Sequence, residues 1–319
     1  MIIYVSTNSH SFTHRPIARD VKFFRQMTYF SLFARRKLPQ ATYIFTDFCR
    51  LNACQLELAA NTYARLKEAG MRVLNDPARV AHRLTLLRRL RAADINSFNA
   101  WPAEDSAEVD RFPVFVRTQA AHRGNLTDLI HTPAELEQTL EALITKGYPR
   151  RDLMLSQYCA EPFEGDIYRK MSVYRIGGRY VTAPTVHERS WTAKVGEPGV
   201  ASQDAYDRDL VRIRDNEYAE AAAAAFKIAE IDYGRADFSI VDGRPEFYEI
   251  NTNPTMSAPI PHPVPARVEA MKESHRQYVD ALRAIDTSPS GGSTPLRFTA
   301  ELLHHTRKLR LVPGYQWIP

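Results

Sequence analysis

Residues 231–254 read I-D-Y-G-R-A-D-F-S-I-V-D-G-R-P-E-F-Y-E-I-N-T-N-P, and no other stretch of the chain restricts its fold as strongly. Two runs rich in β-branched and aromatic residues flank Asp242-Gly243, a pair suited to a hairpin turn. Side chains alternate across a strand, so Glu249 and Asn251 project from one face and Ile250 from the other. A three-residue loop of Asp242, Gly243 and Arg244 sets Val241 opposite Pro245 and, in the same register, Asp237 opposite Glu249. Two carboxylates and an amide oxygen then converge. Such hard oxygen donors suit Mg²⁺, with Mn²⁺ as the alternative ion, and no His or Cys joins them to favour zinc. From the residues alone, the rival reading is a pair of surface carboxylates on an ordinary hairpin. The Asn-Thr-Asn-Pro end and its apolar neighbours favour a site at a strand end.

The rest of the chain supplies a frame for that hairpin. Apolar runs at Met1–Ser6, Ala41–Thr46 and Met71–Leu74 read as strands, separated by helical spacing over Pro16–Ala34 and Leu51–Ala69; Gly70 stops the second helix. This alternation describes a small parallel α/β domain over residues 1–77. Residues 78–110 read as a linker helix and loop. Residues 111–260 then carry strands at Phe112–Arg117 and Asp152–Tyr158, a helix from Pro133 to Lys146, a hairpin around Gly177-Gly178 and an alanine-rich helix over Tyr218–Ile231. That composition describes an antiparallel α+β unit. Residues 261–319 form a helical tail, with a flexible spacer at Ser288–Thr294, that braces the core, joins subunits or covers the site.

At 319 residues, the chain is long enough for more than one core. Its 44% hydrophobic and 25% charged content is that of a globular protein and argues against disorder. The net charge of +5 is spread along the sequence rather than gathered in a basic tract, which argues against nucleic acid and fits a nucleotide or other anionic substrate as well as it fits a solvated basic surface. Cys49, Cys54 and Cys159 show no C-x-x-C spacing and their odd count does not suit a disulfide framework, so a reducing cytoplasm is expected. No secretory leader and no apolar run of membrane-spanning length is found, so no membrane partner is expected. The glycine signatures of P-loop and dinucleotide folds, the kinase motifs, H-E-x-x-H and G-x-S-x-G are all missing.

G-R-A-D-F-S-I followed by E-I-N-T-N-P closely resembles the metal-binding segment of the ATP-grasp superfamily, and the resemblance extends over most of residues 1–260. It is similar to the carboxylate–amine ligase type, with glutathione synthetase and RimK-like ATP-binding domains. It implies a two-lobed ATP-grasp domain behind the N-terminal one, with ATP between the lobes. By position it assigns the metal to Asp237, Glu249 and Asn251. Asn75-Asp76-Pro77 marks the start of the nucleotide-binding half, with Arg83 where the family often has a basic residue. F-P-V-F-V-R resembles the strand whose last residue, Arg117, touches the phosphates, and the loop from Thr118 to Thr127, with Gly124, His122 and Arg123, follows it as a phosphate cover. L-M-L-S-Q-Y-C-A resembles the hinge strand, placing Gln157, Tyr158 and Cys159 at the adenine and Asp166 at the ribose. Y-R-K-M-S-V-Y-R resembles the strand whose basic residue faces the phosphates: Lys170 is the first choice, with Arg169 and Arg175 as rivals, and Arg117, Lys170 and Arg175 are the catalytic residues that the resemblance implies.

The implied chemistry is phosphoryl transfer from ATP to a carboxylate, then attack on the acylphosphate by an amine, with release of ADP and phosphate. The implied partners are small-molecule or peptide carboxylates and amines, and a homo-oligomer is left open. His187, Glu188, Arg189, Trp191 and Lys194 lie in a stretch suited to cover the acceptor, whereas Arg208, Arg212 and Arg214 read as a solvated helix face. A small-molecule kinase of the same fold and a silent nucleotide-binding module are the alternatives.

Overall fold

The opening apolar run forms β1 (Ile2–Ser6), buried at all five positions. The fold is that of a computed structural model, which describes residues 1–35, 37–120, 124–256 and 258–286 and the backbone of 293–295. After β1 come α1 (Arg15–Asp20), β2 (Phe24–Thr28) and α2 (Tyr29–Ala34). The single helix expected over this stretch is therefore broken: β2 lies parallel to β1, and the Thr28 hydroxyl caps α2 by accepting from the Ser31 N–H. Completing the sheet edge beside β1 outweighs helical spacing that two short helices share.

A short β3 (Lys37–Pro39) precedes β4 (Thr42–Phe45), α3 (Ala53–Glu68) and β5 (Val73–Leu74). These complete a parallel sheet of order β2-β1-β4-β5, as the alternation of runs implies. Helix α3 starts from a full capping box between Asn52 and Gln55.

Helix α4 (Arg83–Ala92) leads to β6 (Ala100–Pro102), inside the stretch read as linker. Strand β6 joins β7 (Val114–Thr118) and, beyond α5 (Pro133–Thr145), β8 (Leu153–Gln157) in a three-stranded antiparallel sheet of order β6-β8-β7, and Trp101 and Ala103 enter its core. The next sheet contains β9 (Pro162–Glu164), β10 (Ile167–Ile176) and β11 (Arg179–Glu188). The last two turn at Gly177-Gly178 but run longer than expected, so His187 and Glu188 end a strand rather than sit in a loop. Helices α6 (Gln203–Asp215) and α7 (Ala219–Ala229) precede β12 (Tyr233–Val241) and β13 (Arg244–Asn251), which complete the order β11-β10-β12-β13. Helix α8 (Pro265–Ile285) follows, and β14 (Ser293–Pro295) pairs with β3. Most of the spacer at 288–294, and everything from 296 to 319, lies outside the described residues. Mixed parallel and antiparallel sheets thus give the α/β plus α+β architecture read from the sequence.

Alternation sorts β12 cleanly. Ala236 and Phe238 pack against Leu86 of α4 and Phe226 of α7, while Arg235, Asp237 and Ser239 face a cavity. A separate core joins Ile2, Tyr4 and Phe24 of the parallel sheet to Tyr174 and Tyr233 of the central sheet and to Tyr278 and Leu282 of α8. Helix α8 therefore braces the two sheets against each other.

One side chain locks this arrangement. Asn75, left-handed at φ 62° and fully buried, donates to the Phe45 and Tyr233 carbonyls (2.9 and 2.8 Å) and accepts from the Asp232 and Tyr233 N–H groups (2.7 and 2.8 Å). It ties the parallel sheet to the start of β12, and asparagine tolerates the left-handed conformation better than most residues. Asn75→Ala leaves these backbone groups without their partner and is expected to lower stability by roughly 3–5 kcal/mol. A urea midpoint unchanged from wild type would show that this tie carries no weight.

Candidate active site

The pairing of β12 with β13 places the first carboxylates. Asp242 (φ 50°) and Gly243 (φ 76°) form a two-residue turn with both residues left-handed, so Val241 opposes Arg244 rather than Pro245. The expected three-residue loop is thus one residue too long. An extra residue on β13 restores the register: Phe238 faces Phe247, Asp237 faces Glu249, and Tyr248 is bulged between them. Because of the bulge, Tyr248 and Glu249 both line the cavity, as does Asn251, whereas Ile250 packs on the opposite side. Gly234 permits the close approach, since a Cβ there would lie 2.9 Å from the Asn251 carbonyl oxygen.

Both carboxylates are held by guanidinium groups. Asp237, 3% exposed, takes Arg235 Nε on Oδ1 at 2.7 Å and Nη2 on Oδ2 at 3.0 Å, and its Oδ1 also accepts from the Ser172 hydroxyl at 3.0 Å. Burial disfavours the Arg235 charge, but the Asp237 carboxylate outweighs it and holds the guanidinium above its ordinary pKa. Glu249 pairs with Arg83 at the start of α4 and with Arg117 of β7, the latter Nη2–Oε2 at 3.3 Å. The side chains of Arg83 and Arg117 are 8% and 13% exposed, so three elements meet on one carboxylate. Burial, together with repulsion from Arg83, pushes the Arg117 pKa down to about 10 although Glu249 pulls it back up. Asn251 accepts the Asn253 N–H at 2.9 Å, which fixes the Asn-Thr-Asn-Pro corner.

These groups open on a cavity of about 310 Å³ between the three-stranded and central sheets. One end is aromatic: Trp191, from the segment after β11, packs on Phe115 (centroids 5.0 Å) and edge-on to Tyr158 (5.4 Å), with Phe98 and Tyr248 on the facing side. Gln157 and Cys159 line this end. Burial, then the neighbouring Glu246, raises the Cys159 thiol to about 11, so it is protonated at neutral pH. The other end is charged. Arg117, Arg169, Lys170, Lys194 and Arg235 line the cavity against Asp237 and Glu249, leaving basic groups in excess. Lys194 reaches across to the glycine of the loop after β7: a Cβ on Gly124 (φ 83°) would lie 2.5 Å from its Nζ. Residues 121–123, including His122 and Arg123, lie outside the described residues.

Most of the nucleotide- and metal-site residues singled out from the sequence come together here, and three of them stand apart; of the expected acceptor cover, Trp191 and Lys194 line the cavity and His187, Glu188 and Arg189 do not. Arg175 points away, donating to the Gly177 and Ile231 carbonyls and pairing with Asp232 at 3.1 Å, because it stands five residues after Lys170 on β10 and alternation turns it to the opposite face, whereas Ser172 and Tyr174 share the Lys170 side. Asp166 sits in an exposed turn against Arg189 at 3.6 Å and does not line the cavity. The Tyr158 ring supports Trp191 rather than lining the cavity. Arg235 was absent from the expected set, although period-two alternation from Asp237 points to it directly. The Trp191 wall depends on a segment folding back over the sheet, which local sequence does not reveal.

No family model matches the chain, and no curated protein matches it. Solved structures do. D-alanine–D-alanine ligase from Bacillus anthracis superimposes at a TM-score of 0.52 with 14% identity, over 89% of this chain and 98% of that one. VanG D-Ala:D-Ser ligase from Enterococcus faecalis gives 0.52 at 11%, again over 89% and 98%. D-alanyl-alanine synthetase A from Vibrio cholerae gives 0.50 at 12%, over 89% and 96%. At such identities the likeness is one of fold, and the fold is ATP-grasp. Among the described residues, no helix is long and apolar enough to cross a membrane.

The double pairing of Glu249 yields a stability test. Glu249→Gln keeps the side-chain shape but leaves two buried guanidinium groups facing a neutral amide, at an expected cost of about 3 kcal/mol. Equilibrium denaturation at neutral pH reads this out, and a loss below experimental error would mean that the two arginines find compensation elsewhere.

Proposed function

We propose that the chain is an ATP- and Mg²⁺-dependent ligase that joins a carboxylate to an amine through an acylphosphate, releasing ADP and phosphate. The observation that carries this reading is the cavity in which five basic side chains surround the facing carboxylates Asp237 and Glu249, next to an aromatic slot. The slot, walled by Trp191, Phe115 and Tyr248, suits a purine base. The basic end suits a triphosphate, because charged donors in a confined site act more strongly than in water.

The donor set also fits a divalent ion. Asp237, Glu249 and Asn251 offer hard oxygens from adjacent strand positions, without His or Cys, and among the described residues no cluster of three His, Cys, Asp or Glu competes for one. When bound, such an ion would neutralise phosphate charge and orient the oxygens of the transferred group. The chain's own residues do the rest. Lys170, Arg117 and Lys194 hold the phosphates, and Gly124 lets the loop after β7 approach Lys194 closely. Arg235, fixed by Asp237, faces the place where charge builds on the transferred phosphoryl group. A substrate carboxylate oxygen bonds to the γ-phosphorus as the bond to the bridging oxygen breaks, and ADP leaves with that electron pair. The amine then bonds to the acyl carbon, phosphate leaves, and the amine loses a proton to solvent. Trp191 and the segment around it limit water access to the acylphosphate.

Hydroxylamine serves as a general amine in the test. Full-length protein with Mg²⁺, ATP, hydroxylamine and a set of carboxylates is expected to release ADP and form hydroxamate in step, and Asp237→Asn is expected to lower the rate by about 10²–10³-fold. ADP release with a stable phosphorylated product and no hydroxamate would replace the ligase by a kinase. Nucleotide binding without turnover in any mixture would leave only a binding module.

A further inference from the structure

A second cavity, about 210 Å³, lies behind the first, between the central sheet, residues 255–256 and 258–260, and α8, and shares Lys170, Lys194 and Arg235 with it. Its volume is below the roughly 300–1,000 Å³ of a drug-sized site, so its occupant is small. Tyr174, Tyr278, Val186, Met256, Pro259 and Met271 supply the apolar part of its lining, and Ser172, Thr255, Ser274 and His275 supply uncharged polar groups between them. Ile260, 60% exposed, stands at the wall nearest solvent. Among the described residues, the Lys170 and Lys194 ammonium groups at the shared boundary make no hydrogen bond or ion pair.

No described residue lining this cavity is an Asp or Glu. The acid that acts on Lys170 from outside, Glu188, has its Oε1 occupied by the N–H groups of Lys194, Val195 and Gly196 at 3.0, 2.6 and 2.6 Å. Arg267, on the far wall, is balanced by the buried Asp209 at 3.2 Å, whose carboxylate also accepts from Thr185 and does not line the cavity. Asp237, which bonds to Ser172 and Arg235 of the lining, is already paired. An anionic head at the Lys170 boundary is therefore matched, whereas an ammonium group would meet the Lys170, Lys194, Arg235 and Arg267 cations with no unpaired acid on the lining.

We propose that this second cavity binds the carboxylate substrate, and that the substrate is a small organic acid with an apolar body and no cationic amine. The inference rests on the ligase reading above, since it is the γ-phosphate held at Lys170 that makes this cavity the place for the attacking carboxylate. It separates this chain from any ligase whose first substrate is a free amino acid.

Matched pairs of acids test it. Full-length protein is given Mg²⁺, ATP, hydroxylamine and either 4-methylpentanoate or leucine, and in parallel 3-phenylpropanoate or phenylalanine, with ADP and hydroxamate both measured. Each acid is expected to exceed its amino counterpart at least tenfold in kcat/KM. Met271→Asp, which places a carboxylate in the apolar wall, is expected to narrow that ratio while ADP affinity, read by calorimetry, stays at the wild-type value. Equal or greater turnover with the amino acids overturns the inference, and so does a protein that binds ADP but turns over neither acid. Should Met271→Asp fail to fold, the wild-type ratios decide alone. Absence of ADP binding in the wild type brings down the ligase reading itself, and the inference with it.

Discussion

The bulge at Tyr248 is the constraint on which the rest of the site depends. A two-residue turn of left-handed Asp242 and Gly243 gives β12 and β13 a strong right-handed twist but pairs Phe238 with Phe247. Continued without interruption, that register would set Asp237 opposite Tyr248 and turn Glu249 toward the apolar side with Phe226 and Leu86. The extra residue reverses the facing of everything beyond it, so that Glu249 and Asn251 enter the cavity while Phe247 and Ile250 stay in the core. Asn96 supports the same edge strand from outside, pairing with the Phe247 N–H and carbonyl as another strand would.

With the carboxylates placed, charge organises the surrounding elements. Glu249 gathers α4 and β7 through Arg83 and Arg117, and Asp237 fixes Arg235 within its own strand. Pairs this buried give up hydration and return most of it only with good geometry, so their contribution to stability is modest while their loss is costly. The arrangement nevertheless stores a row of cations beside two acids. A polyanion with a divalent ion can enter it by exchanging partners rather than by creating charge in an empty apolar site. This is a physical reason for one constellation to serve both the folded protein and the proposed chemistry.

The sequence made much of this legible because the informative contacts are local. Residues 231–254 carry a turn pair, alternation and the acids themselves, and the pairing of Asp237 with Glu249 follows, although by a wrong loop length that the bulge compensates. The parallel sheet follows from runs separated by helix signals, yet β2 was hidden, because an edge strand with one buried residue in five has no alternation to display. Arg175 matched the phosphate-facing role only in its charge: five residues after Lys170 on β10, it is turned by alternation to the opposite face of the sheet. Trp191 and the second cavity come from long-range packing of a loop and α8 over the sheet. Local patterns do not report such contacts.

Titrating ADP into the full-length protein by calorimetry, with and without Mg²⁺, tests the central claim most directly, because it asks whether the basic cavity and its facing carboxylates bind nucleotide and ion together. The account predicts binding that Mg²⁺ strengthens at least tenfold, with the gain lost in Asp237→Asn. Binding indifferent to Mg²⁺ in the wild type, or no binding at all, would contradict it.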